Sequence, residues 1–366
     1  MFMKTAWLWS EDLELMVVPK SYSWKNFRKE EQPSANGADG SKTQHVLVLG
    51  AGELGRCVLY SIAHYLSTHP EEDATLTVML RPSNSQERQN QIAYYTEHNV
   101  GHISGDVASQ SVAELASIFC HFDTIVGCTG FGCPPGTQVN ICKAALAAKV
   151  GLYLPWQFGV DYDAIGRGSP MPLFDEQLDV RDMLRGQNQT QWVILSTGMF
   201  TSFLFEDVFG VVELPSEKDM PAIVRALGNW NNRVTTTAPE DIGTFVCGTI
   251  FYLKDRRNQV IFVAGDTISY GRLALTVSKV LGKEVQREQW DLDHLYQEKA
   301  KDPSPMNNYR ALFAEGRGVA WDMKDTVHGE EKAKQLMSVE GWLRKKTGYD
   351  VGGWPKYERS NTSASS

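Results

Sequence analysis

Along the first half of the chain, short apolar runs alternate with stretches whose apolar residues have helical spacing. The first clear run is VLVLG, residues 46–50, which is rich in residues that favour β-strands. The segment after it predicts an amphipathic helix, because apolar residues recur there at every fourth position. The apolar face of this helix consists of Leu54, Val58, Ile62 and Leu66.

The same alternation continues and predicts a parallel sheet. The predicted strands are residues 46–50, 76–81, 101–107, 123–130, 151–156 and 190–197. Strands that alternate with helices form parallel sheets that are covered on both faces. Because the crossovers between parallel strands are right-handed, the leading topology is the doubly wound Rossmann order.

The pattern changes after residue 199, where aromatic residues cluster in MFTSFLFEDVFGVV. Farther on, SYGRLALTVSKVLGKEV predicts a helix that ends at Gly282, but the regular alternation does not resume. The predicted fold class is therefore α/β, with a Rossmann sheet and a smaller C-terminal α+β domain. The predicted organisation is an N-terminal extension and linker (1–43), an NADP-binding Rossmann domain (44–199 and about 235–265), a substrate domain (200–234 and 266–346) and a tail (347–366).

Composition changes this picture mainly by exclusion. The 366 residues are 42% hydrophobic and carry a net charge of −8 without a dense run of Lys or Arg, which argues against a nucleic-acid partner. No apolar run reaches the ~20 residues that span a bilayer, and the N-terminus lacks the apolar core of a secretory signal. The six cysteines and eight histidines show no metal-ligand spacing. We predict a cytoplasmic protein without a metal, which acts on a small molecule and is compatible with a homodimer.

The sequence GAGELG follows the first predicted strand and opens the first predicted helix. It places Gly50, Gly52 and Gly55 in the pattern G-x-G-x-x-G, with Glu53 and Leu54 between the last two glycines. The first glycine permits a tight turn, the second lets the backbone approach a pyrophosphate, and the third lets helix and strand pack closely. The amides of the helix N-terminus then face the phosphates. A glycine-rich turn without a ligand is the alternative.

The residue at the end of the second strand selects the nucleotide. A site for NAD usually has Asp or Glu there, which accepts hydrogen bonds from the ribose hydroxyls. This chain has Arg81 in the block VMLRPS, with no acid beside it. A guanidinium suits a 2′-phosphate, so the predicted cofactor is NADP(H), with Arg88 and Lys42 as further candidate contacts. An arginine that only ends the strand in solvent is the alternative.

Several short blocks occur in an order and spacing typical of one family. They are VLVLGAGELG, LRPS, GDV, LYLPWQFGVDYD, STGMF and TTTAPEDIG. Over about residues 44–346 the chain resembles the NmrA-like and isoflavone-reductase-like atypical short-chain dehydrogenase/reductases, most of all their CipA-like fungal branch. The resemblance implies a Rossmann domain with a small C-terminal substrate domain. It also implies NADPH binding and the reduction of aromatic or quinonoid compounds, often in secondary metabolism.

The chain departs from this family at the residue expected to donate a proton. None of the 13 tyrosines has a lysine four residues later, which excludes the Tyr-x-x-x-Lys pair of ordinary members of the superfamily. The resemblance to plant isoflavone reductases implies a catalytic lysine on the helix PLFDEQLDVRDMLRG, but Gln177 occupies the matching position. An amide can orient a carbonyl or the nicotinamide carboxamide, but it cannot donate a proton at neutral pH. A position at the edge of the helix, with the amide in solvent, is the alternative.

The block PWQFGVDYD follows the fifth strand, and ligands of open α/β sheets bind at such carboxyl ends. Pro155, Trp156 and Phe158 are therefore candidate cofactor contacts, with ordinary core packing as the alternative for the aromatic residues. Tyr162 and Asp163 are candidate acids, and for Asp163 the alternative is the capping of a turn or helix.

Two further segments supply candidates. After the fourth strand, the backbone of Thr129, Gly130 and Phe131 can pass close to the cofactor. The aromatic cluster after residue 199 predicts the wall of an apolar substrate pocket, with core between two domains as the alternative. The residues of this predicted wall are Met199, Phe200, Phe203 and Phe205.

These observations lead to one principal hypothesis and two alternatives. The principal hypothesis is an NADPH-dependent reductase of an aromatic, quinonoid or polyketide-like small molecule. The first alternative is a non-catalytic regulator that senses NADP(H) and binds a protein partner, which the glutamine at the lysine position favours. The second is an isomerase or cyclase in which the cofactor is structural.

Overall fold

The structure is a computed structural model that describes residues 43–130, 132–215 and 220–348. The candidates Phe131 and Lys42 lie outside the described residues, as do nearly all of the predicted tail and of the predicted N-terminal extension. The helices of the described part include none that is both long and apolar enough to span a bilayer.

Strands and helices alternate from residue 44 to residue 196, and the regular alternation ends there. The strands are β1 Gln44–Leu49, β2 Ala74–Leu80, β3 Val100–Ser104, β4 Thr124–Gly127, β5 Leu152–Leu154, β6 Gln191–Ser196, β7 Met199–Phe200, β8 Val212–Glu213, β9 Ala222–Leu227, β10 Arg233–Thr237, β11 Gln259–Phe262, β12 Asp266–Ser269 and β13 Val285–Trp290. The helices are α1 Glu53–Thr68, α2 Gln86–Glu97, α3 Val112–Phe119, α4 Thr137–Ala147, α5 Tyr162–Ile165, α6 Leu173–Arg185, α7 Pro239–Phe251, α8 Tyr270–Leu281, α9 Leu292–Lys301, α10 Pro305–Glu315, α11 Gly329–Ala333 and α12 Val339–Thr347.

Seven strands form one parallel sheet in the order β11-β6-β5-β4-β1-β2-β3. This is the doubly wound Rossmann order, so the predicted fold class is confirmed. The first six strands are those predicted from the sequence, while β11 at one edge adds a seventh. The predicted third and fourth strands run three residues too far, because their final residues form the loops after β3 and β4.

Successive side chains along each strand point to opposite faces of this sheet. In β1, Val46 and Val48 contribute to the apolar core on one face, and Leu47 and Leu49 contribute to the core on the other. Each face is covered by helices, so the strand reads as a continuous apolar run.

Helix α7 packs closely on α1, the helix that follows the glycine-rich turn. A side chain at Gly243 would place its Cβ 2.5 Å from the carbonyl oxygen of Cys57, so this approach requires a glycine. The block APEDIG therefore brings α7 against the helix that opens the candidate cofactor site.

A third apolar core lies mostly among the elements after β6, with contributions from α5 and α6. It is built around two three-stranded sheets, β12-β10-β7 and β13-β9-β8, and helices such as α8 and α10. Helix α8 ends at Leu281, and Gly282 adopts the left-handed conformation of a C-terminal cap, as predicted. Strand β10 pairs in the small sheet, whereas β11 pairs in the large one, so both sheets draw on residues 235–265. The division of the chain into two domains stays a prediction.

Candidate functional site

The glycine-rich turn between β1 and α1 has the geometry of a phosphate cradle. Gly50 has a φ of +94°, which favours glycine. A Cβ at Gly55 would lie 2.3 Å from the carbonyl oxygen of Gly50, whereas a Cβ at Gly52 would meet nothing within 4 Å. The first turn of α1 also has no side-chain cap. The cradle is therefore tight on the protein side and open at Gly52, where a ligand would lie.

Glu53 and Leu54 lie in the first turn of α1 and differ in the direction of their side chains. Leu54 is buried in the core beneath the sheet, so only its backbone faces the cradle. The Glu53 carboxylate accepts a hydrogen bond of 2.8 Å from the hydroxyl of Ser202, a residue far along the chain.

Arg81 directly follows β2, at the position where a site for NAD usually has Asp or Glu. Arg81 is exposed and forms no ion pair with a residue that the structure describes. Arg56 of α1 and Arg88 of α2 each have a buried Nε atom without a hydrogen-bond partner among the described residues. Both lie near Tyr95: burial raises the pKa of that hydroxyl, and the two positive charges lower it. These donors match the negative charge of a 2′-phosphate.

The loop after β4 lies beside the glycine-rich turn. A Cβ at Gly50 would lie 2.8 Å from Cγ2 of Thr129, and the Oγ1 atom of Thr129 is buried without a partner in the described chain. The indole of Trp156 packs on Gly130, since a Cβ there would lie 2.3 Å from the ring. The structure thus brings together the candidates from the fourth and fifth strands.

The segment after β5 is anchored by buried contacts. Pro155 is buried, and Phe158 is 7% exposed within the core, so its ring packs against protein on most sides. Between them, the Gln157 side chain donates 2.9 Å to the backbone oxygen of Gln177 and accepts 2.8 Å from Nε of Arg181. Gln157 therefore fixes this segment to α6 at two points.

Arg181 is fully buried and has a partner on each side. Besides Gln157, it donates to the Asp163 carboxylate at 2.6 Å and to the Ser196 hydroxyl at 3.5 Å, and its guanidinium lies 5.1 Å from the centre of the Tyr162 ring. A buried arginine of this kind needs such partners, because an unpaired charge would be strongly destabilising.

The two candidate acids differ in charge. Hydrogen bonds from Arg185 hold the pKa of Asp163 below its ordinary value, despite an opposing effect of partial burial, and Arg181 lowers it further. Asp163 is thus ionised at neutral pH and has no proton to donate. Burial raises the pKa of Tyr162, so its hydroxyl stays protonated but is a weaker acid than in water.

Gln177 lies one helical turn before Arg181 and has a different environment. It is fully buried, yet neither its Oε1 nor its Nε2 atom has a hydrogen-bond partner within the described residues. The alternative of an edge position with the amide in solvent is therefore wrong. A buried amide without partners is costly, which favours a site that a ligand completes.

The predicted wall of the substrate pocket is only partly accessible. Met199 is buried, and Phe205 is buried and stacked on Trp342 with ring centres 4.8 Å apart. Phe200 and Phe203 are half-buried, and each packs on the edge of a core. These two rings remain the candidates for contact with a substrate.

Sequence reasoning missed Gln157, Arg181 and Glu176. Glu176 of α6 accepts hydrogen bonds from the amides of Gly136 and Gln138, so it occupies the N-terminus of α4. A signal for Arg181 was present, because a charged residue four positions after Gln177 shares its inward face. Its partners come from distant segments, and no local pattern identifies them.

Comparison with known proteins agrees with the resemblance seen in the sequence blocks. A sequence profile described as the NmrA-like family matches residues 42–340. A relative from Gibberella moniliformis, named an NmrA-like family domain-containing oxidoreductase, is 43% identical over 292 residues. The alignment covers 78% of this chain and 93% of that relative.

Two solved structures share the fold. An isoflavone reductase has 16% sequence identity and a TM-score of 0.65, with 83% of this chain and 100% of that one covered. A binary complex of leucoanthocyanidin reductase with NADPH from Vitis vinifera has 18% identity and a TM-score of 0.65, with 83% and 99% covered. These structures agree with the Rossmann prediction, and the second contains the cofactor predicted for this chain.

Proposed function

The chain belongs to the NmrA-like family of oxidoreductases, and we propose that it is an NADPH-dependent reductase of an aromatic, quinonoid or polyketide-like small molecule in secondary metabolism. The observation that carries this proposal is an open glycine cradle together with Arg81 at the end of β2, where an NAD site would have a carboxylate.

The residues present fit the cofactor. The amides near Gly50, Gly52 and Gly55 would hold the pyrophosphate, because the turn is open only at Gly52. Arg81 would hold the 2′-phosphate together with Arg56 and Arg88. The buried Nε atoms of Arg56 and Arg88 lack hydrogen-bond partners in the described chain, as does Oγ1 of Thr129 next to the turn.

NADPH supplies a hydride when it is bound. The contribution of this chain is the orientation of the cofactor and substrate. The Gln177 amide would donate a hydrogen bond from Nε2 to the substrate oxygen or to the nicotinamide carboxamide, because it has no other partner in the described chain. Neither Gln177 nor ionised Asp163 can release a proton at neutral pH, so we propose that water protonates the product oxygen.

The test is a screen of aromatic quinones, enones and ketones against the full-length protein with NADPH. We expect one mole of NADPH to be oxidised for each mole of reduced product. A product that forms without NADPH oxidation would favour the alternative of an isomerase or cyclase. The absence of any turnover, with NADPH bound, would contradict the reductase.

The sensing regulator remains a second candidate because Gln177 replaces a proton donor at a buried position. In that case a protein partner would bind differently to the NADP⁺ and NADPH forms. A pull-down from the source organism under each form, followed by titration of the purified pair, would support this alternative if the affinities differ.

A further inference from the structure

One hydrogen bond joins the cofactor cradle to the elements after β6. The Ser202 hydroxyl donates 2.8 Å to Oε1 of Glu53, across 149 positions of sequence. Glu53 is the first residue of α1 and immediately follows Gly52, the open position of the cradle. Ser202 lies in the 3₁₀ turn Thr201–Phe205.

This turn presents aromatic side chains at the predicted substrate pocket. Phe203 is half-buried, with its ring centre 5.0 Å from that of Phe209 and 5.7 Å from that of Tyr309. Phe200, half-buried, directly precedes the turn. A change in the turn would therefore move the rings that we expect a substrate to contact.

The Glu53 carboxylate is held in an unfavourable environment. Burial raises its pKa, and the nearby Glu240 and Glu206 raise it further, whereas the bond from Ser202 and the charge of Arg56 lower it. A carboxylate in such surroundings depends on its hydrogen-bond donor. Glu53 therefore has a physical reason to keep its bond to Ser202 and to keep the turn in place.

We propose that Glu53 is a positioning residue that couples cofactor binding in the cradle to the conformation of the Thr201–Phe205 turn. Its backbone is part of the cradle, and its side chain holds the turn. A ligand that fixes the backbone of Glu53 restricts its side chain and so stabilises the turn. This inference rests on the proposed binding of NADP(H), but it does not depend on reductase chemistry.

The test is hydrogen–deuterium exchange of the full-length protein with and without saturating NADPH. In the wild type we expect peptides covering the cradle and peptides covering residues 200–206 to exchange more slowly with NADPH, the latter by about fivefold. In Ser202→Ala the cradle should keep its protection, and the turn should lose the NADPH-dependent part.

Three further variants separate positioning from general destabilisation. Ser202→Thr keeps a hydroxyl, and Glu53→Gln keeps an oxygen acceptor, so both variants should retain the protection of the turn by NADPH. Ser278→Ala removes a hydroxyl on α8 that donates to the backbone oxygen of Lys283, and it should leave the protection of the turn by NADPH intact.

The outcomes distinguish this inference from the proposed function. If NADPH protects the cradle but not the turn, or if Ser202→Ala retains the protection of the turn, the coupling is wrong and the cofactor proposal stands. If NADPH protects neither region of the wild type, both proposals are wrong.

Discussion

The two sides of the candidate site are built by different means. On the cradle side, the turn at Gly50–Gly55 is shaped by backbone: neighbouring residues supply a steric reason for Gly50 and Gly55, and Gly52 meets no protein atom within 4 Å. On the side of α6, the shape depends on side chains that meet from separate segments, as Gln157 meets Arg181. The first kind of site can be recognised in a short sequence, while the second requires the folded chain.

Helix α6 itself carries a second contrast. Arg181 and Gln177 are both fully buried, but Arg181 bonds to three side chains, and the Gln177 amide to none that the structure describes. A buried polar group with partners stabilises the fold, whereas one without partners costs stability. The predictions below test these differences.

The largest effect is expected at Arg181. Arg181→Met would leave Gln157 and Ser196 with unsatisfied buried groups, and we expect it to lower the free energy of unfolding by about 3–5 kcal/mol. Arg185→Met is the matched control, because Arg185 bonds to the same Asp163 but its side chain is 43% exposed. It should cost about 1 kcal/mol or less. Equal losses in urea denaturation would contradict the role of the buried network.

On the cradle side, a buried carboxyl of α7 should make the stability of the fold depend on pH. Asp241 of α7 accepts a hydrogen bond from the amide of Met337, and burial raises its pKa from 3.8 to about 7. Between these values the folded protein holds a proton that the unfolded chain has lost, so this carboxyl lowers stability as the pH rises. Asp241→Asn should stabilise the protein at pH 8 by about 2–4 kcal/mol.

The same variant should change little near pH 4, where the carboxyl is protonated in the folded protein. Urea denaturation at a series of pH values measures the difference. Parallel curves for the wild type and Asp241→Asn would show that this carboxyl is ionised in the folded protein.

Two alanine variants compare a tightly packed position of the cradle with an open one. Gly55→Ala places a Cβ against the carbonyl oxygen of Gly50 and should destabilise the fold by about 1–3 kcal/mol. Gly52→Ala meets no protein atom within 4 Å, so it should leave the melting temperature unchanged and weaken NADPH binding. Unchanged NADPH affinity in Gly52→Ala would mean that the ligand does not approach this position.

The smallest effect is expected at Gln177. Gln177→Met removes two unpartnered polar atoms and should leave the ligand-free protein as stable or more stable by about 1 kcal/mol. Gln157→Met removes two bonded atoms and should destabilise it by about 1–3 kcal/mol. Equal destabilisation by both variants would show that Gln177 has a partner of its own.

The parts of the molecule that could be predicted are those encoded over short distances. Six strands, their parallel arrangement and the end of α8 before Gly282 follow from periodicity and local caps. The cradle follows from three glycines in six residues. The inward direction of Gln177 was visible from its spacing with Val180 and Leu184, but its lack of partners depends on everything packed around it.

Other features could not be read from the sequence because their causes are distant. The bond between Ser202 and Glu53 joins residues 149 positions apart. The lowered pKa of Asp163 depends on two arginines of another helix. Phe158 and Met199 are buried in the core and so are not accessible to a ligand. Apolar character alone does not distinguish such core residues from those of a binding site.

The most direct test of the central claim is calorimetric titration of NADPH and NADH into the wild type and Arg81→Ala. We expect the wild type to prefer NADPH, and the variant to lose about 1.5–3 kcal/mol of NADPH binding free energy while its affinity for NADH stays the same. Binding of neither dinucleotide would contradict the cradle. Equal binding of both by the wild type would contradict the assignment of the 2′-phosphate to Arg81.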